Sequence, residues 1–445
     1  MLFSSLEFLY AFLPLFLLVY FLTPRRWQNL SLLSASLLFY AYGEPVYVLL
    51  MITSIGINFA FGRLLCRGGR RRVLLGLAVG LDLLLLFFFK YAGMLIPALG
   101  SIPLPIGISF YTFQAISYLA DVYRGEVAAA KGLTDFGAYI SMFPQLIAGP
   151  IVRYSDVARQ LKDRSNSLCR IASGAATFIA GLSKKVLLAN GAGELANSLL
   201  SGADTRLCAL LWLICFSFQI YFDFSGYSDM ALGLGRILGF DFPENFRYPY
   251  TAESITDFWR RWHVTLSSFF REYVYVPLGG NRHGRGRTYL NLLAVWALTG
   301  LWHGASLNFL LWGLYFFLLL CLEKTFLLKV LDRLPRPLRH LYALPLILFG
   351  WLIFASDGTR DTASALFLLF GNAPLLDGWV LYELRRNALP RVALALGATP
   401  LPRRLARRLA RRIPCLYTVL SFLGLILSTA YLAASGYNPF LYFRF

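Results

Sequence analysis

Long apolar stretches, broken by short clusters of arginine, glycine and proline, set the pattern of this chain. Runs able to span a membrane fall near 6–23, 28–42, 46–65, 73–89, 104–120, 168–190, 207–222, 226–240, 289–303, 306–323, 341–356 and 415–434. Their length suits helices, and the alternation of a membrane β-barrel is absent. Several runs are short, which allows tilted, re-entrant or bundle-enclosed pieces. The segments 133–151 and 254–279 mix polar and apolar positions and are not assigned as simple spans. Within the first, "FPQLIAGP" (143–150) is broken by Pro144, Gly149 and Pro150. Two readings stand for it: a hairpin or re-entrant piece enclosed by protein, or a loop outside the bilayer.

The predicted fold is therefore an all-α polytopic membrane protein of about 10–12 transmembrane helices with re-entrant or interfacial helices. We read residues 1–445 as a single integral-membrane domain carrying a basic cytoplasmic insert at about 376–413. Composition agrees: 58% of residues are hydrophobic, 16% aromatic and only 15% charged, more apolar surface than a soluble domain can bury. The net charge of +19 sits between the apolar runs, as juxtamembrane charge does, so nucleic acid is not an expected partner. "TPRR" (23–26), "CRGGRRR" (66–72), "RYSDVARQLKDR" (153–164), "NRHGRGR" (281–287) and the tail 385–412 are the cytoplasmic candidates, and "AYGEP" (41–45) an outside turn. The opening run precedes the first positive charges, which reads as an uncleaved first span rather than a signal peptide. The string "PRRLARRLARRI" (402–413) repeats every four residues, placing Leu405, Leu409 and Ile413 on one face among six arginines. It predicts a basic amphipathic helix on an anionic cytoplasmic leaflet; the alternative is an exposed arginine-rich loop. The six cysteines are scattered without a C-x-x-C pair, so neither disulfides nor a metal site is expected.

Of four histidines, His283 and His340 sit in basic stretches. The other two lie among aromatic and apolar residues. His303 closes "YLNLLAVWALTGLWHG", with Thr299 one turn earlier, Trp302 beside it, and Gly300 and Gly304 around it. An ionisable group at membrane depth is costly and normally faces a cavity or a partner, and imidazole is the natural base near neutral pH. The glycines are expected to let a backbone or a substrate approach closely. His263 belongs to "DFWRRWHVTLSSFF"; read as a helix, Trp259, His263 and Ser267 are spaced i, i+4, i+8 on one face. Either histidine can instead be a structural residue bonded within the core. A third patch, "QIYFDFSGYSDMALGLGRILGFDFPENFRYPY" (219–250), carries Asp223, Asp229 and Arg236 among hydroxyl-bearing residues. Asp229 is expected to be the deepest acid, lining a polar tunnel or pairing with an arginine. The string "FSGYS" does not fit a hydrolase nucleophile elbow, and no P-loop, dinucleotide or H-E-x-x-H motif occurs in a usable setting.

These same strings, with "PLPIGISFYTFQAISYLADVYRGE", "FPQLIAGPIVRY" and the closing "YNPFLYFRF", resemble the membrane-bound O-acyltransferase family. The likeness is to its bacterial branch typified by the membrane subunit of alginate O-acetylation. It covers most of the chain except the basic region near 376–413. The resemblance implies tilted helices ringed about a central tunnel. It places the family's near-invariant histidine on His303 and the second signature position on His263. With these roles, His303 is the general base and His263 an orienting or substrate-positioning partner, while Trp259, Ser267, Asp229, Thr299 and Trp302 are tunnel candidates. No bound cofactor is expected, and no cofactor-binding residue is assigned. The implied acyl donor is acetyl-CoA or an acyl-carrier thioester. The implied partners are an extracytoplasmic serine-dependent acetyltransferase or other polysaccharide machinery, an acyl-carrier protein and membrane lipids. The implied location is the bacterial inner or cytoplasmic membrane. One departure is Ala355 in "GWLIFASDG" (350–358), where the branch leads us to expect arginine. Competing expectations are D-alanyl transfer to teichoic acid, a transporter, and a catalytically silent scaffold. No inverted repeat or ion site supports the transporter.

Overall fold

A computed structural model describes residues 2–96, 102–147, 149–200, 205–356, 359–413 and 415–441. Ala148 of "FPQLIAGP", Asp357 and Gly358 of "GWLIFASDG", and the last four residues of "YNPFLYFRF" lie outside them. The described residues form helices and no strands. Among the described residues, six helical segments are long and apolar enough to cross a membrane: Tyr47–Cys66, Arg71–Met94, Leu168–Leu199, Arg206–Leu238, Arg336–Ala355 and Leu416–Ala434. The chain is a multi-pass membrane protein. It groups into two compact units, one of Met1–Leu182 with Tyr227–Glu244, the other of Ser183–Gly226 with Asn245–Phe445.

The first unit holds α1 (Leu13–Leu22), α2 (Gln28–Gly43), α3 (Tyr47–Cys66), α4 (Arg71–Leu95), α5 (Ile108–Arg124), α6 (Leu133–Ser141), α7 (Phe143–Leu146), α8 (Tyr154–Lys162) and α9 (Leu168–Ser183, its final residue in the other unit). Phe3, Phe8, Phe39 and Phe143 pack their rings at the centre of its core. Helix α5 is buried at nearly every position from Ile108 to Val122, whereas α4 turns Leu77, Leu81, Leu84 and Phe87 outward. Such an apolar exterior suits lipid. The opening of "FPQLIAGP", Phe143–Leu146, is neither a span nor an exposed loop. Phe143, Pro144, Gln145 and Leu146 form one buried helical turn, and Gln145 donates to the Tyr139 carbonyl (2.6 Å). This turn is therefore enclosed by protein.

The second unit continues the α9 path through a π-helical turn (Lys184–Ala189) into α10 (Asn190–Leu200). Helix α11 (Arg206–Leu238) follows, and its residues beyond Gly226 count with the first unit. The expected break between 207–222 and 226–240 does not exist. The "DFSGYSD" stretch holds one glycine and no proline, and its first acid is neutralised inside the protein, so the polar residues ride on an uninterrupted helix.

Next come α12 (Ile255–Trp259), α13 (Val264–Phe270), α14 (Gly284–His303), α15 (Leu307–Leu322), α16 (Leu328–Leu331) and α17 (Arg336–Ala355). Then α18 (Thr359–Phe370), α19 (Gly378–Arg386), α20 (Ala388–Gly397), α21 (Leu401–Ala410) and α22 (Leu416–Ala434) complete the chain. Helix α21 is the predicted basic helix; Leu405 and Leu409 are exposed along it, with Ile413 exposed just beyond.

Two devices fix the parts that matter below. Helices α14 and α15 lie so close that a Cβ on Gly300 would strike the Phe309 carbonyl, and one on Gly313 the Trp296 carbonyl. The Gly304 space is taken by the Phe309 ring. The room made by these glycines thus belongs to the neighbouring helix, not to a substrate. The start of α12 is held by Glu323, 1% exposed, whose carboxylate accepts from Ile255 N–H (2.7 Å), Thr256 N–H (2.7 Å), the Thr256 hydroxyl (2.6 Å) and the Tyr342 hydroxyl (3.1 Å). An anion there answers the unpaired amides of a helix N-terminus.

Candidate active site

The stretch 255–270 is not one helix. Helix α12 stops at Trp259, a tight turn follows, and α13 begins after His263. His263 itself sits in the left-handed region (φ 43°, ψ 54°), uncommon for a residue with a side chain. The i, i+4, i+8 face of Trp259, His263 and Ser267 therefore does not form. Trp259 is buried against Trp296, Trp312 and Phe316, at ring distances of 4.8, 5.5 and 4.9 Å. Ser267 is exposed on α13.

The left-handed turn persists because the loop before it over-determines it. Val264 N–H donates to the Asn245 carbonyl (3.0 Å), and Arg247 N–H to the Arg261 carbonyl (2.9 Å). The Asn245 side-chain oxygen faces Thr265 N–H (3.3 Å), the Thr265 hydroxyl (2.9 Å) and His263 Nδ1 (3.0 Å). Because the Thr265 amide can only donate, the Asn245 atom at the centre is its oxygen, an acceptor. His263 Nδ1 must then carry the proton, which assigns the tautomer with a bare lone pair on Nε2. That Nε2 is buried and has no hydrogen-bond partner among the described residues. His263 lies outside the membrane-spanning helices, and burial holds its imidazole well below the ordinary histidine range, so it stays neutral. Its ring lies edge-on to Phe224 at 4.7 Å and 6.0 Å from Trp302.

His303 ends α14, half-buried, at 4.8 Å from Trp302, 5.0 Å from Trp312 and 5.1 Å from Phe354 between ring centres. It lines a cavity of about 30 Å³ with Asp223, Phe224, Trp262, Trp351 and Leu441 among its walls. Trp302 is thus a neighbour of both histidines, and Phe224 touches His263 while lining the His303 cavity. Thr299 is buried in the same helix, but its hydroxyl is turned back to the Val295 carbonyl (2.8 Å). Asp229 is not the deepest acid. It is half-buried and counts with the first unit, while Asp223 is 2% exposed and faces the cavity. The reason is position along α11: six residues earlier, the acid meets Lys185, which pairs with it at 2.7 Å.

Sequence reasoning passed over Lys185 and Asn245. The first was legible as a lysine pair inside the apolar run "GLSKKVLLANG". The second, in "PENFRY", left no signal, because its partners lie 18 and 20 residues away.

The chain is similar to known proteins. Residues 126–354, which contain both histidines, Asn245, Asp223 and Lys185, match the membrane-bound O-acyltransferase family. The chain is 40% identical to a "probable alginate O-acetylase" of Azotobacter vinelandii, over 89% of this chain and 82% of that protein. It is 34% identical to a peptidoglycan O-acetyltransferase of Helicobacter pylori, over 87% of this chain and 82% of that one. A teichoic acid D-alanyltransferase of Bacillus subtilis is 28% identical, over 47% of this chain and 56% of that protein.

Proposed function

The chain belongs to the membrane-bound O-acyltransferase family, and we propose that it acetylates an extracytoplasmic polysaccharide, drawing the acetyl group from a cytoplasmic thioester. Near-full-length similarity to two O-acetylating enzymes supports acetyl over D-alanyl transfer, for which the match spans under half the chain. The donor in this reading is acetyl-CoA or an acyl-carrier thioester. The acceptor is an alginate-like or cell-wall polymer, reached directly or through an extracytoplasmic serine-dependent acetyltransferase. The protein acts in the bacterial inner or cytoplasmic membrane.

The observation that carries the chemistry is the pair of imidazoles about Trp302, one on a cavity and one with a bare, buried nitrogen. In the proposed reaction His303 removes the proton of the acceptor hydroxyl. The oxygen attacks the thioester carbonyl, the carbon–sulfur bond breaks, and the leaving thiolate takes up a proton. His263, fixed by Asn245, offers its Nε2 lone pair to a hydroxyl or a water and so aligns the nucleophile. Aromatic walls keep bulk water from competing for the thioester.

Mass spectrometry of surface glycans from the native host and its deletion strain tests this reading. Loss of O-acetyl esters, restored by the wild-type gene, is the expected result. Intact O-acetyl esters with lost D-alanyl esters would overturn it in favour of D-alanyl transfer.

A further inference from the structure

Lys185 and Asp223 take no part in the steps above, yet both are buried, at 1% and 2% exposure, deep within apolar helices. A pair of this kind is a poor way to gain stability, since apolar residues of similar size often do as well. What it gives is fixed geometry, and here every donor is used. Lys185 Nζ pairs with Asp223 Oδ1 (2.7 Å), donates to Asn190 Oδ1 (2.9 Å) and donates to the Pro439 carbonyl. The other Asp223 oxygen accepts Leu441 N–H (2.8 Å).

Two of these partners are therefore main-chain atoms of the segment after α22. From Ser435 to Phe440 that segment has no helix of its own, so its path is set from outside. Asn190 Nδ2 donates to Asn438 Oδ1 (3.2 Å), and Gln219 Nε2 to the Tyr437 hydroxyl (3.4 Å). The result is that Leu441 and Asp223 stand as two walls of the His303 cavity. The π-helical turn at Lys184–Ala189 lies where this clasp is built, carrying Lys185 on it with Asn190 next in sequence. Single π-helical turns inside helices are frequent at functional sites.

We propose that the Lys185–Asp223 pair is a positioning device for acyl transfer, clasping residues 437–441 so that they close the cavity on which His303 opens. The inference rests on the acyl-transfer reading above. The pair touches no reacting atom; it sets the shape that presents the acyl carbonyl to the base.

The test uses membrane vesicles from the deletion strain carrying each variant, with radiolabelled acetyl-CoA as probe and incorporation into base-labile product as readout. Rates are normalised to the folded protein seen by size-exclusion fluorescence. The double variant Lys185→Met with Asp223→Leu removes both charges and leaves neither orphaned. It is expected to lose ~100-fold in kcat with KM within about threefold, the signature of a misplaced reacting group. Asn438→Ala loosens the clasp without disturbing the charges and is expected to lose ~10-fold, again in kcat. It decides the matter if the double variant fails to accumulate. Wild-type kcat in both variants, or a loss confined to KM, overturns the clasp. No incorporation by wild-type vesicles from either radiolabelled acetyl-CoA or a radiolabelled acetyl-carrier-protein thioester overturns the acyl-transfer reading itself.

Discussion

Replacing Asn245 probes the site through a residue that makes no contact with substrate in this account. Its side-chain oxygen gathers three donors: His263 Nδ1–H, Thr265 N–H and the Thr265 hydroxyl. Alanine leaves the first two buried and unanswered, while the hydroxyl can rotate away. At about 1–3 kcal/mol for each stranded donor, the loss is about 2–6 kcal/mol. It falls on the turn that holds His263 in a left-handed conformation, so the imidazole is released from its place and tautomer. Acyl transfer by Asn245→Ala is expected to fall at least ~100-fold, with a lower melting temperature in detergent.

Asn245→Asp separates geometry from electrostatics. A carboxylate accepts the same three donors but favours the imidazolium, so the His263 pKa rises from its depressed value. Protonated His263 carries hydrogen on Nε2 and cannot accept from the nucleophile. Activity of this variant should therefore fall on the acid side, with its lower limb displaced upward from that of the wild type. The assay is acetyl incorporation measured from about pH 4 to about pH 8. Wild-type activity in Asn245→Ala, or an unshifted profile in Asn245→Asp, would refute the assigned tautomer and its role.

Substitutions at two further positions address the frame around the site. Glu323→Ala strands the Ile255 and Thr256 amides at the start of α12. It should destabilise the protein by about 2–5 kcal/mol and lower activity together, read by thermal melts and acetyl incorporation, whereas Glu323→Gln should recover part of both. Gly300→Ala places a methyl on the Phe309 carbonyl, so α14 and α15 must separate. A loss of about 1–3 kcal/mol in thermal melts is expected, and an unchanged melt would show that the helices are not held in close contact.

The apolar rhythm announced most of the helices, because a helix of that length in lipid must satisfy its own backbone. It failed where a polar group found a partner distant in sequence. The α11 break was expected from Asp223 and Asp229, and vanished because Lys185 neutralises the first of them. The face built on Trp259, His263 and Ser267 assumed a continuous helix. Nothing local in "FWRRWHVTL" forecasts a left-handed histidine; the cause is Asn245 and its loop, folded back onto the turn. Gly300 and Gly304 did mark a close approach, but periodicity cannot say what approaches, and here it is α15. His303, by contrast, was legible from its setting: an ionisable group closing an apolar helix, now found on the wall of a cavity.

We propose His303 as the base for O-acetyl transfer. The most direct measurement is the O-acetyl ester content of surface glycans in the deletion strain complemented with His303→Ala, at membrane levels matched to the wild type. Losing a general base costs about 10²–10⁴-fold in rate, so esters should fall to the level of the deletion strain. Wild-type ester content at matched levels would contradict the account.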